Sequence, residues 1–212
     1  MSKRNVEALL NALDGSLSRS VSDIVADLGS LLELVEKWQR VQNLVSRETP
    51  GDLWQRHVLD SLQLLPKLAG ARQVLDLGSG GGFPALPLAT ALKGGTTAFT
   101  LVESNGRKCA FLNAAKRELN LVIHVKQARI EAVSPESLPS PDVITARALA
   151  SLPVLLGYAR RFAGPHTRVV LHKGREYGDE LAQVDSALRG SVVVNESLTD
   201  PEAVILEWTS LF

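Results

Sequence analysis

The chain has 212 residues, of which 45% are hydrophobic and 22% charged, enough to bury one α/β core with a small extension. Its 23 basic and 23 acidic residues cancel, which excludes a strongly basic free-standing nucleic-acid binder. No apolar run approaches the about 20 residues of a membrane span, a single cysteine (Cys109) allows no internal disulfide, and no Cys/His cluster has zinc spacing, so a cytoplasmic protein with no leader peptide, no membrane contact and no metal is expected.

From the N-terminus, Leu28, Leu31, Leu32, Val35 and Trp38 recur at helical spacing, with Ser22 as the expected N-cap. Thr49-Pro50-Gly51-Asp52 breaks that pattern, and a second helix is predicted through Leu53, Trp54, His57, Val58, Ser61, Leu62 and Leu65, ending near Pro66. The pattern changes at Arg72, which predicts a helical extension over residues 1–70 and an α/β domain over 71–212. Strands are predicted over Gln73–Leu77, Ala98–Val102, Leu121–Val125, Asp142–Ala146 and Arg168–His172. Helices are predicted over Ala85–Leu92, Gly106–Leu119, Leu152–Phe162 and Glu176–Leu188. This alternation implies parallel βαβ units. Val192–Val194 and Ala203–Trp208 have no helix between them and are predicted to pair as an antiparallel hairpin. Trp38, Trp54 and Trp208 are expected in the core rather than as stacking platforms for bases.

The first predicted strand runs into Asp76-Leu77-Gly78-Ser79-Gly80-Gly81-Gly82-Phe83-Pro84 and then a helix, the layout of a cofactor cradle. Gly80-x-Gly82-x-x-Ala85 satisfies the dinucleotide fingerprint, with Glu103 downstream as its acid, and so leaves a nicotinamide-dependent oxidoreductase as an alternative. Reading Gly78-x-Gly80-x-Gly82 instead puts Asp76 at the mouth of the strand, the arrangement associated with S-adenosylmethionine. Glu103, at the end of the second strand, is the candidate acceptor for a ribose diol, which both cofactors carry. The end of the third βα unit, Ala128-Arg129-Ile130-Glu131, is where adenine would lie, with Ile130 as an apolar wall. Arg147, at the carboxyl edge of the fourth strand, is a candidate for holding the cofactor carboxylate or an RNA phosphate.

Several of these pieces, taken in order, resemble one known family. They are Asn43-Leu44, Arg56-His57-x-x-Asp60-Ser61, the Asp76 loop through Phe83-Pro84, Val102-Glu103-Ser104, Arg107-Lys108-x-x-Phe111-Leu112, Arg147-Ala148-x-Ala150-Ser151-Leu152 and Lys173-Gly174. Together they resemble the bacterial methyltransferase G (GidB) family over nearly the whole chain; Ala85 departs from the glycine that many members carry there. The resemblance implies a Rossmann-like, class I S-adenosylmethionine-dependent methyltransferase. Its fold would be a mostly parallel seven-stranded sheet with an antiparallel C-terminal hairpin and an N-terminal helical extension. The implied reaction is methylation of N7 of one guanine in 16S ribosomal RNA, on the RNA or the small subunit; a monomer is expected. It assigns cofactor contacts to Gly78, Phe83, Ile130, Glu131 and Arg147, and places Asp76, Gly80 and Glu103 in the same pocket. Guanine N7 carries a lone pair and no proton, so no general base is demanded. Arg147, with His57 and Asp60 at i, i+3 on one helix face, is the candidate catalytic group, His57 and Asp60 either guarding the transfer site or pinning the helical cap to the sheet. Lys173 and Arg175 are candidate RNA phosphate contacts, among local basic clusters that include Arg107-Lys108, Lys116-Arg117 and Arg160-Arg161. A non-catalytic RNA-binding or assembly module that keeps the fold is the remaining alternative.

Overall fold

The computed structural model describes residues 2–40, 44 and 53–212. The expected break at Thr49-Pro50-Gly51-Asp52 and the motif residue Asn43 lie outside that set. Two helices open the chain, α1 (Ser2–Ala12) and α2 (Val21–Gln39). The stripe read from the sequence is the buried face of α2, where Leu28, Leu31, Leu32 and Val35 are joined by Ile24. Its N-cap is Ser20 rather than Ser22: Ser20 Oγ accepts the N–H of Asp23 at 3.2 Å. The second predicted helix is a π-helical stretch, Trp54–Leu59, continuing into α3 (Asp60–Leu62) and then a 3-10 turn, Leu65–Leu68. Such stretches re-aim side chains and recur at functional sites.

The α/β part follows as β1 (Gln73–Leu77), α4 (Ala85–Ala91), β2 (Ala98–Glu103), α5 (Gly106–Glu118), β3 (Ile123–Gln127), β4 (Val143–Arg147) and α6 (Leu152–Phe162). It ends with β5 (Arg168–Lys173), α7 (Tyr177–Ala182), α8 (Ser186–Ser191), β6 (Val193–Glu196) and β7 (Val204–Trp208). One seven-stranded sheet results, ordered β3-β2-β1-β4-β5-β7-β6. Strands β1 to β5 are parallel, and β7 runs antiparallel to both β5 and β6. The expected C-terminal hairpin is present, but β7 is inserted against β5, which leaves β6 at the edge.

Most element ends shift by one or two residues from the sequence expectation. β3 sits two residues later than predicted, because the chain between α5 and β3 turns through Asn120, which has φ 51°. The predicted helix over 176–188 is two helices, since Asp185 starts a new one by accepting the N–H groups of Ala187 and Leu188 at 3.1 Å each. The link from β3 to β4 carries two short 3-10 turns, Ile130–Ala132 and Pro135–Ser137.

Two apolar cores cover the faces of the sheet. On one face, Val6, Leu10, Ile24, Leu28, Val58 and Leu62 of the N-terminal segment form a single cluster with Leu86, Leu88, Phe99 and Phe111. Each such side chain contributes about 1.5–3 kcal/mol by leaving water, so the extension is built into the core of the α/β part. On the other face, Leu75, Ile144, Leu155 and Leu206 pack with Trp208, whose Nε1–H donates to the Leu188 carbonyl at 2.8 Å. Trp208 is fully buried, while Trp38 and Trp54 are partly buried against the first core.

Candidate functional site

Parallel strands end together, so the loops after β1, β2, β3 and β4 meet at one edge of the sheet and enclose a cleft of about 450 Å³. The loop after β1 is shaped by glycines: Gly78, Gly80 and Gly82 have φ of 68°, 55° and 86°, a region that side chains with a Cβ rarely adopt. At Gly78 space is short as well, since a Cβ there would lie 2.5 Å from Leu149 Cδ1, on the wall of the cleft. Gly82 fits its loop against Leu86 of α4. The peptide between Phe83 and Pro84 is cis, and Pro84 is the N-cap of α4 rather than a residue inside it.

Glu103 ends β2 and ties this loop in place. Its Oε2 accepts the N–H of Gly80 at 2.8 Å and its Oε1 that of Asn105 at 2.7 Å. Asn105, not Glu103, caps α5, accepting from the N–H groups of Arg107 and Lys108. Each carboxylate oxygen therefore keeps a lone pair for the cleft that Glu103 lines. Ile130 and Glu131 line the opposite wall; Ile130 is buried, and the Glu131 carboxylate accepts the Tyr158 hydroxyl.

Asp76 departs from the sequence reading. It is not at a solvated mouth but inside β1, 1% exposed, and it does not line the cleft. Its Oδ1 accepts the Thr145 hydroxyl at 2.7 Å from the neighbouring β4, and its Oδ2 has no hydrogen-bond partner among the described residues. Burial pushes its pKa up to about 6, an effect that the Ser79 and Thr145 hydroxyls and the Arg147 charge offset only in part. The position of Asp76 therefore does not separate the two fingerprints, and the choice of cofactor rests on other residues.

Arg147, the last residue of β4, joins this cleft to a second one of about 640 Å³. Its guanidinium is held from the N-terminal segment: Nη1 donates to the Arg56 carbonyl and to Asp60 Oδ2 at 2.9 Å each, and Nη2 lies 2.8 Å from His57 Nδ1. It also sits 5.4 Å from the centre of the Phe83 ring, which stacks on His57 at 4.6 Å. Arg147 thus touches both His57 and Asp60, three residues apart in the chain. Asp60 accepts further bonds from Gln63 and from Thr199 of the β6–β7 loop.

Beneath them, His172 of β5 places Nε2 2.9 Å from the Asp60 carbonyl, while its Nδ1 has no partner among the described residues. Burial holds its pKa below the usual histidine value, against the pull of Asp60, so the ring is neutral and donates through Nε2. The sequence places this residue only at the end of the predicted fifth strand. Thr145, Leu149 and Tyr158 were missed, and Lys108 was read only as part of a motif and a basic cluster, because cross-strand register and the reach of α5 and α6 into the cleft are not written in local pattern.

The two residues expected to meet RNA differ in kind. Lys173 is not a free cation: its Nζ pairs with Glu180 at 2.7 Å and donates to the Ala150 carbonyl at 3.2 Å, with the side chain 10% exposed. Arg175 is exposed and pairs with Glu202 at 3.0 Å, on the rim of the second cleft.

The comparisons with known proteins agree with this geometry. The family model described as rRNA small subunit methyltransferase G (GidB) matches residues 24–204. The chain is 42% identical over 208 residues to the ribosomal RNA small subunit methyltransferase G of Cereibacter sphaeroides, covering 97% of each. It is 40% identical over 208 residues to the protein of that name from Rhizobium meliloti, covering 96% of each. Among solved structures, an O-methyltransferase from Bacillus cereus in complex with SAH shares the fold, with a TM-score of 0.59, 15% identity, and coverage of 98% of this chain and 100% of that one. The sheet is that of the class I S-adenosylmethionine-dependent methyltransferases, and the chain belongs to the rRNA small subunit methyltransferase G family.

Proposed function

We infer that this chain transfers the methyl group of S-adenosylmethionine to N7 of a guanine in the 16S RNA of the small ribosomal subunit, as a monomer in the cytoplasm. What carries the reading is the cradle of Gly78, Gly80 and Glu103 at the carboxyl edge of a parallel sheet, in a chain of this family. The cofactor supplies an electrophilic methyl group on a sulfonium. The residues fit it: the cleft is of the size small ligands use, a Cβ at Gly78 would close it, and Glu103 has lone pairs left for a ribose diol. Ile130 and Phe83 supply apolar walls, and both are buried. Gly78 lets backbone approach the ligand closely, Gly80 ties the loop to Glu103 through its N–H, and Asp76 acts from behind the loop.

Guanine N7 has no proton to lose, so the protein's own work is alignment and charge. Arg147 is the fixed cation between the two clefts. His57 and Asp60 hold its plane and are positioning residues rather than acid or base. The second cleft, with Asp60 in its wall, is where the target base enters, and the carboxylate compensates the charge that the methylated base acquires. Arg175 on its rim meets RNA phosphate, and Lys173 serves through Glu180 instead. The nicotinamide-dependent and non-catalytic readings draw no support from the family. Incubation of the protein with labelled S-adenosylmethionine and unmodified small subunits should place label on N7 of one 16S guanine. Label elsewhere, or none, would overturn the reading.

A further inference from the structure

The cleft wall that faces the adenine end is a short turn with few bonds of its own. Within it, Ala132 N–H reaches the Arg129 carbonyl at 3.0 Å and Val133 N–H reaches the Ile130 carbonyl at 3.2 Å. What holds the turn comes from another element. Arg161, in the last turn of α6, donates Nη1 to the Ile130 carbonyl at 2.7 Å, and Nη2 to the carbonyls of Glu131 and Val133 at 3.1 Å each. One helical turn earlier, Tyr158 donates its hydroxyl to the Glu131 carboxylate. Two side chains at i, i+3 on one helix thus grip the turn by its backbone and by its side chain.

The two terminal nitrogens of the planar fork reach three carbonyls from one position, and charge-assisted bonds of this kind exceed neutral ones in strength. Arg161 does not line the cleft, yet Ile130 and Glu131, which do, are the residues whose carbonyls it holds. We propose that Arg161 is a positioning residue for the purine end of the cofactor: it preorganises the Ile130–Val133 turn, and Tyr158 sets the Glu131 side chain. The inference rests on the cofactor reading given above. A preorganised wall lowers the ordering cost of binding and leaves the chemical step alone, so its loss falls on affinity.

The test compares wild type, Arg161→Gln and Arg161→Lys. Calorimetry would measure affinity for S-adenosylmethionine and for 5′-methylthioadenosine, which keeps the purine and ribose but lacks the amino-acid arm. Steady-state kinetics on small subunits would separate kcat from KM. Arg161→Gln should weaken both ligands by about tenfold and to the same extent, with kcat at saturating cofactor within about twofold of wild type. Arg161→Lys, which keeps the charge but not the fork, should weaken both by about threefold, and carries the same test should Arg161→Gln fail to fold. Wild-type affinity in whichever of these variants folds overturns the proposal, and so does a fall in kcat that matches the fall in affinity. Failure of wild type itself to bind either ligand would instead sink the cofactor reading.

Discussion

At Gly78 two constraints coincide, a φ of 68° and a Leu149 methyl 2.5 Å from where a Cβ would stand, whereas at Gly80, with φ 55°, the nearest atoms are 3.7 Å and 3.9 Å away. Substitution at the two should therefore differ. Gly80→Ala meets only backbone strain, about 1–2 kcal/mol, and should keep most cofactor affinity. Gly78→Ala adds a clash on the cleft wall and should lose binding by more than about tenfold, as calorimetry would show. Asp76 yields a prediction in pH. Its folded pKa of about 6 lies above the usual 3.8, so the native state holds this proton more tightly than the unfolded chain. Stability from that proton is complete below pH 3.8 and is lost as pH rises through 6. Relative to Asp76→Asn, the wild type should lose up to about 3 kcal/mol between pH 4 and pH 8, measured by denaturant unfolding; a pH-independent difference would place the charge elsewhere. Much of this scale was legible. Gly78, Gly80, Glu103, Ile130 and Arg147 were read from motif and strand-end position, and all line the cleft. Asp76 was misplaced because its partner, Thr145, is 69 residues away, and nothing in local pattern reveals which hydroxyl a parallel neighbour will offer. The ion-pair partner of Lys173, Glu180 on the next helix, is likewise not written in local pattern.

Among the elements, the π-helical stretch Trp54–Leu59 matters most, because it presents Arg56, His57 and, just beyond it, Asp60 to the end of β4. The sequence shows the helix through its apolar spacing but not the wider winding, which tertiary contact imposes. Likewise, the antiparallel hairpin was readable while the insertion of β7 against β5 was not, since strand order is decided by packing over the whole sheet. We propose the division at residue 70 as a change of pattern rather than of stability. Val6, Leu10, Ile24 and Leu28 share one core with Leu86 and Phe111. A fragment of residues 71–212 should consequently expose that face and aggregate, and a soluble, cooperatively melting fragment would refute the expectation.

On the scale of the molecule, 23 cations balance 23 anions, so long-range attraction to RNA is weak. Cations nevertheless line the clefts: Lys108 and Arg129 the first, Arg56 and Arg175 the second, and Arg147 both. Recognition then depends on a shaped surface meeting those clefts at short range. Methylation of assembled small subunits should exceed that of a naked fragment of 16S RNA at the same concentration, and equal rates in a filter assay would count against this. The tryptophans, finally, make the molecule its own optical gauge. Trp208 is sealed beneath the C-terminal strands, while Trp38 meets Phe111 edge-on at 5.8 Å and Trp54 lies under the Lys3 ammonium at 5.7 Å in the N-terminal helices. Indole emission shifts to the red on contact with water, so single-tryptophan variants observe opposite ends of the chain separately. If the helices and the sheet melt as one body, the three colours change at one denaturant concentration.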